Sequence, residues 1–242
     1  MIRLFAKCLA VCLLLAACTT PQMRVDPVLE SVAIAYPVQG RSGWLLDQRL
    51  RFGEFSAGPV SRGWTKGYDY PFIIRFTGAR EKLRFPVSDG TGNEAMVHCI
   101  GKLREQDLRI FRDYFDVNIN TTDTFTCALE VNDSATYDFY ASNLNVQQNL
   151  GYKPMQGSLR GGAEPVDLRS VWHLSSGQRS LTTEPLGVEF LRGGEVIGAV
   201  ETVNEGRVWV RDDLDQESRL VIGAVAAALL LRSGLAEHND PE

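Results

Sequence analysis

Apolar and polar side chains alternate over much of this chain, as they do in half-buried β-strands. Polar and apolar residues alternate over residues 82–85, and residues 125–131 place Phe125, Cys127, Leu129 and Val131 on one face. Asn132 and Asp133 then form a turn signal before residues 135–139, where the alternation resumes. Strands of this period with turns at regular spacing predict a mainly β fold, either a barrel or a sandwich.

The strongest hairpin signal lies near the C-terminus. Gly193 and Gly194 separate two strand-like stretches, residues 186–192 and residues 195–203, and two glycines suit a two-residue hairpin turn. Residues 204–206 (Asn-Glu-Gly) predict another turn, which leads into a strand at residues 207–210. This part of the chain therefore predicts three consecutive antiparallel strands.

Two internal stretches interrupt the strand pattern. Residues 103–115 are charged with scattered apolar side chains, which favours a short helix. Residues 142–165 are polar and rich in Gly and Asn, which predicts a long loop.

A helix apolar on every face is predicted at the end of the chain. Asp215 is a suitable N-cap, residues 220–231 (LVIGAVAAALLL) contain no polar side chain, and Arg232 and Gly234 suit a helix C-terminus. Such a helix must be buried on all sides. It is too short to cross a bilayer, so the protein itself must surround it. Its many Gly and Ala residues keep it thin, as the axis of a closed β-barrel requires.

These features together resemble the end of the tubby C-terminal-like superfamily, which includes phospholipid scramblases and LURP-one-related proteins. The resemblance covers residues 187–235: the glycine hairpin, the strand at Val208–Trp209–Val210, an acidic turn at residues 212–215 and the apolar helix. It implies a closed β-barrel of about twelve strands around a hydrophobic C-terminal helix. No basic motif matches the phosphoinositide-binding residues of tubby proteins, so the resemblance informs the fold and not the activity.

The first twenty residues are typical of a secretory signal peptide. Arg3 and Lys7 precede a short apolar run that is below the roughly 20 residues of a membrane span. The sequence Leu-Ala-Ala-Cys ending at Cys18 resembles the lipobox of bacterial lipoproteins, which implies cleavage before Cys18 and lipidation of that residue. The alternatives are an ordinary signal peptide or a buried helix that happens to contain a cysteine. Thr19, in place of an aspartate, implies export to the outer membrane, where the lipid would hold the chain facing the periplasm.

The predicted organisation has four parts. Residues 1–17 form the signal peptide and residues 18–35 a lipidated tether, in which Pro21 and Pro27 discourage regular structure. Residues 36–237 form a single barrel domain, and residues 238–242 a tail.

The cysteines divide by position. Cys8 and Cys12 lie in the signal peptide and Cys18 carries lipid, so Cys99 and Cys127 remain in the mature chain. In an oxidising periplasm two remaining cysteines predict a disulfide, although two buried thiols or a metal pair are alternatives. No CxxC spacing occurs and His98 is the one histidine nearby, so no metal site is predicted.

The net charge and the sequence motifs limit the classes of function that this chain can have. Without the signal peptide the chain has 23 basic and 30 acidic residues, a formal charge of −7, which disfavours nucleic-acid binding. Neither a GxSxG, a phosphate-binding loop, a GxGxxG nor an HExxH motif is found, so neither an enzyme nor a cofactor is predicted. The three histidines are interpreted as structural: His98, His173 and His238. Three carboxylates of the hairpin are interpreted as solvated: Glu189, Glu195 and Glu201.

One stretch is a candidate binding surface. An extended strand at residues 62–70 would place cations and aromatic rings on one side: Arg62, Trp64, Lys66, Tyr68 and Tyr70. Packing of these rings in the barrel core or rim is the favoured alternative.

The best-supported expectation is a membrane-anchored, non-enzymatic envelope accessory or binding module with an unknown protein or cell-wall partner. A lipid carrier is the alternative, and a cell-wall or peptide hydrolase is less favoured.

Overall fold

A computed structural model of the chain describes residues 22–41, 48–63, 81–101, 121–144, 154–182 and 184–236. Within these ranges lie two helices, α1 (Pro27–Val32) and α2 (Gln216–Ala236). The strands are β1 (Ala33–Pro37), β2 (Leu50–Phe52), β3 (Phe55–Ala57), β4 (Ser61–Arg62), β5 (Glu81–Ser88), β6 (Glu94–Gly101), β7 (Thr121–Val131), β8 (Ala135–Leu144), β9 (Met155–Arg160), β10 (Val166–Val171), β11 (Gly187–Arg192), β12 (Glu195–Glu201) and β13 (Arg207–Arg211).

The strands form one antiparallel sheet that curls into a nearly closed barrel. Twelve strands follow each other in the order β1-β13-β12-β11-β10-β9-β8-β7-β6-β5-β3-β2, and β4 pairs separately with β5. The two ends of this order meet where Gln39 and Arg51 exchange backbone hydrogen bonds of 2.9 and 3.1 Å. The predicted mainly β fold, a barrel with a hydrophobic C-terminal helix, is confirmed.

Helix α2 occupies the inside of the barrel. Asp215 caps its N-terminus by accepting a 2.8 Å hydrogen bond from the Ser218 backbone N–H. Each apolar side chain from Leu220 to Leu231 is at most 2 % exposed. The helix contacts strands around the wall, including β3, β5, β6, β7, β12 and β13. It continues through Gly234 to Ala236, slightly beyond the predicted end.

The fit between α2 and the wall is tight at Gly223. A Cβ atom built there would lie 2.9 Å from Cδ1 of Phe55, a ring on β3. The glycine therefore allows the helix to approach the wall, as the thin-helix prediction required. Among the described residues, no helix combines the length and hydropathy needed to cross a membrane.

The predicted turns are present. Asn132 and Asp133 adopt positive φ values of 47° and 55° between β7 and β8, and Gly193 and Gly194 adopt 58° and 87° between β11 and β12. Glycine reaches this region without steric cost and Asn or Asp at low cost, so these residues suit the two turns.

The long loop predicted for residues 142–165 is wrong. Strand β8 continues to Leu144, and β9 forms at Met155–Arg160. Strand β9 pairs with β8 on one side and β10 on the other, so its neighbours determine its conformation although its own sequence does not alternate. The short helix predicted for residues 103–115 lies outside the described residues.

The predicted tether is also wrong in its described part, because residues 23–35 are folded against the barrel. Asp26 accepts hydrogen bonds from the backbone N–H groups of Val28 and Leu29, which caps α1. Pro27 occupies the first helical turn, where its missing N–H costs nothing. Pro27 therefore begins a helix and does not prevent regular structure. Strand β1, directly after this helix, pairs with β13.

Candidate functional site

The strand register defines two ends of the barrel. At the mouth end, Val166 of β10 lies opposite Arg192 of β11. At the far end, Val171 lies opposite Gly187, which in turn lies opposite Glu201 of β12. The first turn of α2 lies at the mouth end, because Arg192 donates a 3.1 Å hydrogen bond to the Ser218 hydroxyl.

An open cavity of about 500 Å³, here called the mouth cavity, lies beside the first turns of α2. Apolar side chains from β9, β10 and α2 line one part of it: Leu159, Val166, Val221 and Ile222. Polar side chains from β8, β11, the neighbouring loops and α2 line the rest: Tyr137, Glu164, Arg192, Asp215, Glu217 and Ser218. Apolar walls with a few polar groups are typical of small-ligand sites.

The polar part of the mouth cavity is mainly acidic. It contains the carboxylates of Glu164, Asp215 and Glu217 but one guanidinium, that of Arg192. The Tyr137 hydroxyl donates to Glu217 Oε1, and burial together with this bond raises the pKa of Tyr137 to about 12. Hydrogen bonds from Ser218 hold the pKa of Asp215 below its ordinary value, so this carboxylate stays ionised. The excess of carboxylates favours a cationic group in the cavity.

Contacts with neighbouring loops fix the first turn of α2. Gln216 donates a 3.2 Å hydrogen bond to Asp89 Oδ2, and Arg219 forms an ion pair with Glu54. Burial pushes the pKa of Asp89 upward, but hydrogen bonds from Asn93 and Thr91 outweigh it and lower that pKa below its ordinary value. These contacts join the first turn of α2 to the loops on the side away from the mouth cavity.

A second feature lies on the outside of β10–β13, where residues 22–32 form a segment here called the strap. Met23, Val25 and Leu29 of the strap are buried, at 3, 7 and 0 % exposure. They pack in a separate hydrophobic cluster with outward-facing side chains of the barrel: Val171, Leu186, Val196, Ala199 and Trp209.

Two buried carboxylates hold the strap backbone. Glu201 accepts a 2.7 Å hydrogen bond from the Met23 N–H and pairs with Arg207 at 3.1 Å. Glu189 accepts a 3.0 Å bond from the Asp26 N–H and pairs with Arg169 at 2.8 Å. Burial is the main cause that raises the pKa of Glu201 above its ordinary value, against the lowering effect of the Met23 N–H and Arg207.

The interpretation of the hairpin carboxylates as solvated is therefore wrong for two of the three. The side chains of Glu189 and Glu201 are 6 and 2 % exposed, whereas that of Glu195 is 78 % exposed. Glu189 and Glu201 are covered by the strap, a segment that the sequence analysis predicted to be a tether outside the barrel.

The predicted disulfide is confirmed. Cys99 of β6 and Cys127 of β7 lie directly opposite each other, with a S–S distance of 2.07 Å and a Cα–Cα distance of 4.0 Å. Both are fully buried in the core that contains α2. The bond is thus part of the barrel wall and not an exposed redox centre.

The predicted binding surface is only partly described. Arg62 lies on the exposed strand β4 and donates a 2.9 Å hydrogen bond to Gln48 Oε1. The other members lie outside the described residues, as does the predicted lipidation site: Trp64, Lys66, Tyr68, Tyr70 and Cys18.

The histidines do not form a site with one another in the described part of the chain. His98 is 7 % exposed on β6, and burial, with a contribution from Arg84, lowers its pKa to about 4. His173 is exposed at the far end, and His238 lies outside the described residues.

Sequence reasoning missed both the mouth cavity and the strap. The Asp26-Pro27 pair is a helix-start signal that could have indicated α1. The mouth cavity draws on residues from Tyr137 to Ile222, a separation that no local pattern reveals. No family model, curated protein or solved structure matches this chain.

Proposed function

We propose that this chain is a membrane-anchored periplasmic lipoprotein that acts as a non-enzymatic binding module. In this proposal a lipid on Cys18 holds it at the outer membrane, facing the periplasm, after removal of residues 1–17. Its partner is an envelope protein or a cell-wall component. The relation to the tubby C-terminal-like superfamily is part of the same proposal, supported by the barrel with its internal helix.

The proposal of a binding module is supported mainly by the barrel interior, which α2 fills. Side chains of α2 pack against the inner wall with at most 2 % exposure from Leu220 to Leu231. An acyl chain would have to displace this helix, and with it most of the apolar core. A carrier that stores lipid in the barrel is therefore disfavoured, and recognition through the ends and the outside is favoured.

The mouth cavity is the proposed recognition site. Its carboxylates suit an amine or another cation, and its apolar part suits a short aliphatic side chain. A cell-wall peptide with a free amine, or a lysine-bearing loop of an envelope protein, has this combination. Tyr137 and Arg192 add one neutral and one cationic hydrogen-bonding group that would orient the ligand.

Site-specific photocrosslinking in native cells tests the proposed site. A photoreactive amino acid at Ala163, an exposed residue that lines the mouth cavity, should give a defined crosslinked product. The matched control is Asp167, which is exposed and faces outward on the neighbouring strand. Equal crosslinking from both positions, or none from Ala163, would count against the mouth cavity as the recognition site.

The anchor is tested separately by metabolic labelling with a fatty-acid analogue. The chain should incorporate the label, and Cys18→Ser should abolish incorporation and leave an unprocessed precursor. Undiminished label in the Cys18→Ser variant would refute lipidation at Cys18.

A further inference from the structure

The strap begins at the tip of a small hairpin that extends β10 beyond the far end of the barrel. Residues 172–180 form this far-end hairpin: Leu174 N–H donates to Gln178 O at 2.8 Å, and Ser180 N–H donates to Trp172 O at 2.7 Å. Because β10 runs from the mouth end to the far end, its continuation points away from the mouth cavity.

The strap pairs with this hairpin as an additional strand. Arg24 N–H donates to His173 O, and Ser175 N–H donates to Gln22 O, both at 2.8 Å. Met23 lies between them in a bridge with Leu174. Gln22 therefore lies beside Ser175, the first residue of the hairpin turn, and the buried Glu201 fixes Met23 one residue further on.

The short distance along the chain from Gln22 to Cys18 limits where an anchor can lie. Four residues of fully extended chain span at most about 14 Å. A lipid attached to Cys18 would hence hold the hairpin turn within about that distance of the membrane surface. A free tether of residues 18–35 would allow a much larger distance between the barrel and the membrane than the folded strap does.

From this geometry we infer that the far-end hairpin is a membrane-contact surface, which rests on the headgroup layer while the mouth cavity faces away from the bilayer. The inference rests on the proposed lipidation of Cys18. The partner of the surface is the bilayer that holds the anchor.

The side chains of the hairpin suit a headgroup layer. The Arg179 guanidinium lies 5.6 Å from the Trp172 ring centroid, on the exposed side of the hairpin. Tryptophan and arginine are typical of membrane–water interfaces. Leu181, directly after the hairpin, is 94 % exposed, and the turn itself carries Ser175, Ser176 and Gly177, which need no burial.

Fluorescence quenching in vesicles tests the orientation on the lipidated full chain. A fluorophore is placed on Ser176→Cys in the hairpin turn or, as a matched control, on Thr136→Cys, an exposed position at the mouth end. The native cysteines do not compete, since Cys99 and Cys127 are bonded to each other and Cys18 carries lipid. The vesicles contain phosphatidylethanolamine and phosphatidylglycerol, with a nitroxide quencher on a fraction of the headgroups.

Loss of fluorescence at position 176 but not at position 136 is the expected result. Equal quenching at both positions, or quenching only at position 136, would overturn the orientation. Insertion of about 20 Gly/Ser residues after Thr20, a coil of roughly 25 Å, should remove the difference between the positions. If the difference persists, the short tether is not its cause.

Mass spectrometry of the same preparation separates this inference from the proposed function. A chain without lipid on Cys18 would overturn both the lipoprotein proposal and the orientation. A lipidated chain whose turn is not quenched would overturn the orientation alone and leave the anchored binding module standing.

Discussion

Strands β11–β13 are covered on both faces, but the two coverings differ in chemistry. On the inner face lies α2, a continuous helix whose buried part is apolar from Leu220 to Leu231. On the outer face lies the strap, which combines three buried apolar side chains with backbone hydrogen bonds to Glu189 and Glu201. Apolar packing holds the buried part of the inner covering, whose polar contacts lie at the first turn of α2, whereas the outer covering is held along its length by paired charges as well. We therefore expect loss of the inner covering to unfold the barrel and loss of the outer one to release only the strap.

The largest effect should come from a charge on the inner face. Ala226 is fully buried, so Ala226→Asp would bury an unpaired carboxylate and should lower the free energy of unfolding by at least about 3 kcal/mol. The same substitution at the exposed Ala163 is the control and should stay within about 0.5 kcal/mol of wild type. Denaturant unfolding measures both. A stable Ala226→Asp protein would mean that α2 is not enclosed.

The inner wall can also be weakened through its disulfide. Replacement of both Cys99 and Cys127 by Ser should lower the free energy of unfolding by about 3–4 kcal/mol, because the bond closes a long loop in the unfolded chain. Reduction of the wild-type protein under denaturing conditions should reproduce the shift of the denaturation midpoint. A double variant with an unchanged midpoint would show that the bond adds no stability.

The outer covering has a matched pair of test residues on one helix. Leu29 of α1 is fully buried whereas Val28 is 66 % exposed. Leu29→Ala should weaken docking of the strap by about 2–3 kcal/mol and Val28→Ala by at most about 0.5 kcal/mol. Protease cleavage within residues 22–32 should then increase in the first variant and not in the second. If both variants are cleaved alike, the buried contact of Leu29 does not hold the strap.

A smaller effect concerns the pH dependence of the outer covering. Burial raises the folded-state pKa of Glu201, so its contribution to stability is fully present below the ordinary value of 4.5 and is lost as pH rises through the raised pKa. Glu201→Gln should remove this part of the pH dependence while it keeps an acceptor for the Met23 N–H. Denaturant unfolding measured across the acidic range should show a flatter profile for the variant. Identical profiles would contradict the raised pKa.

The two coverings were not equally predictable from the sequence. The inner one could be recognised because its apolar residues are contiguous and no exposed helix tolerates such a run. The disulfide followed because Cys99 and Cys127 are the cysteines left after the predicted signal peptide and lipidation site. The strap could not be recognised in the same way, because its partners Glu189 and Glu201 lie more than 160 residues further along the chain.

The candidate site was harder to predict than the fold for a similar reason. The mouth cavity requires Tyr137, Glu164 and Arg192 to meet the first turn of α2, and only the register of β8–β11 brings them together. Strand β9, which forms part of its apolar lining through Leu159, lies in a stretch that the sequence indicated as a loop. Periodicity identified the strands with alternating faces, and it could not identify a strand whose conformation depends on its two neighbours.

Two truncated chains test whether the barrel needs α2 and can fold without the strap. Circular-dichroism melts should be recorded for residues 19–215, which lack α2, and for residues 33–242, which lack the strap. We predict a cooperative, native-like transition for residues 33–242 and none for residues 19–215. A native-like cooperative transition of residues 19–215 would show that the barrel folds without α2 and that the helix is not its core.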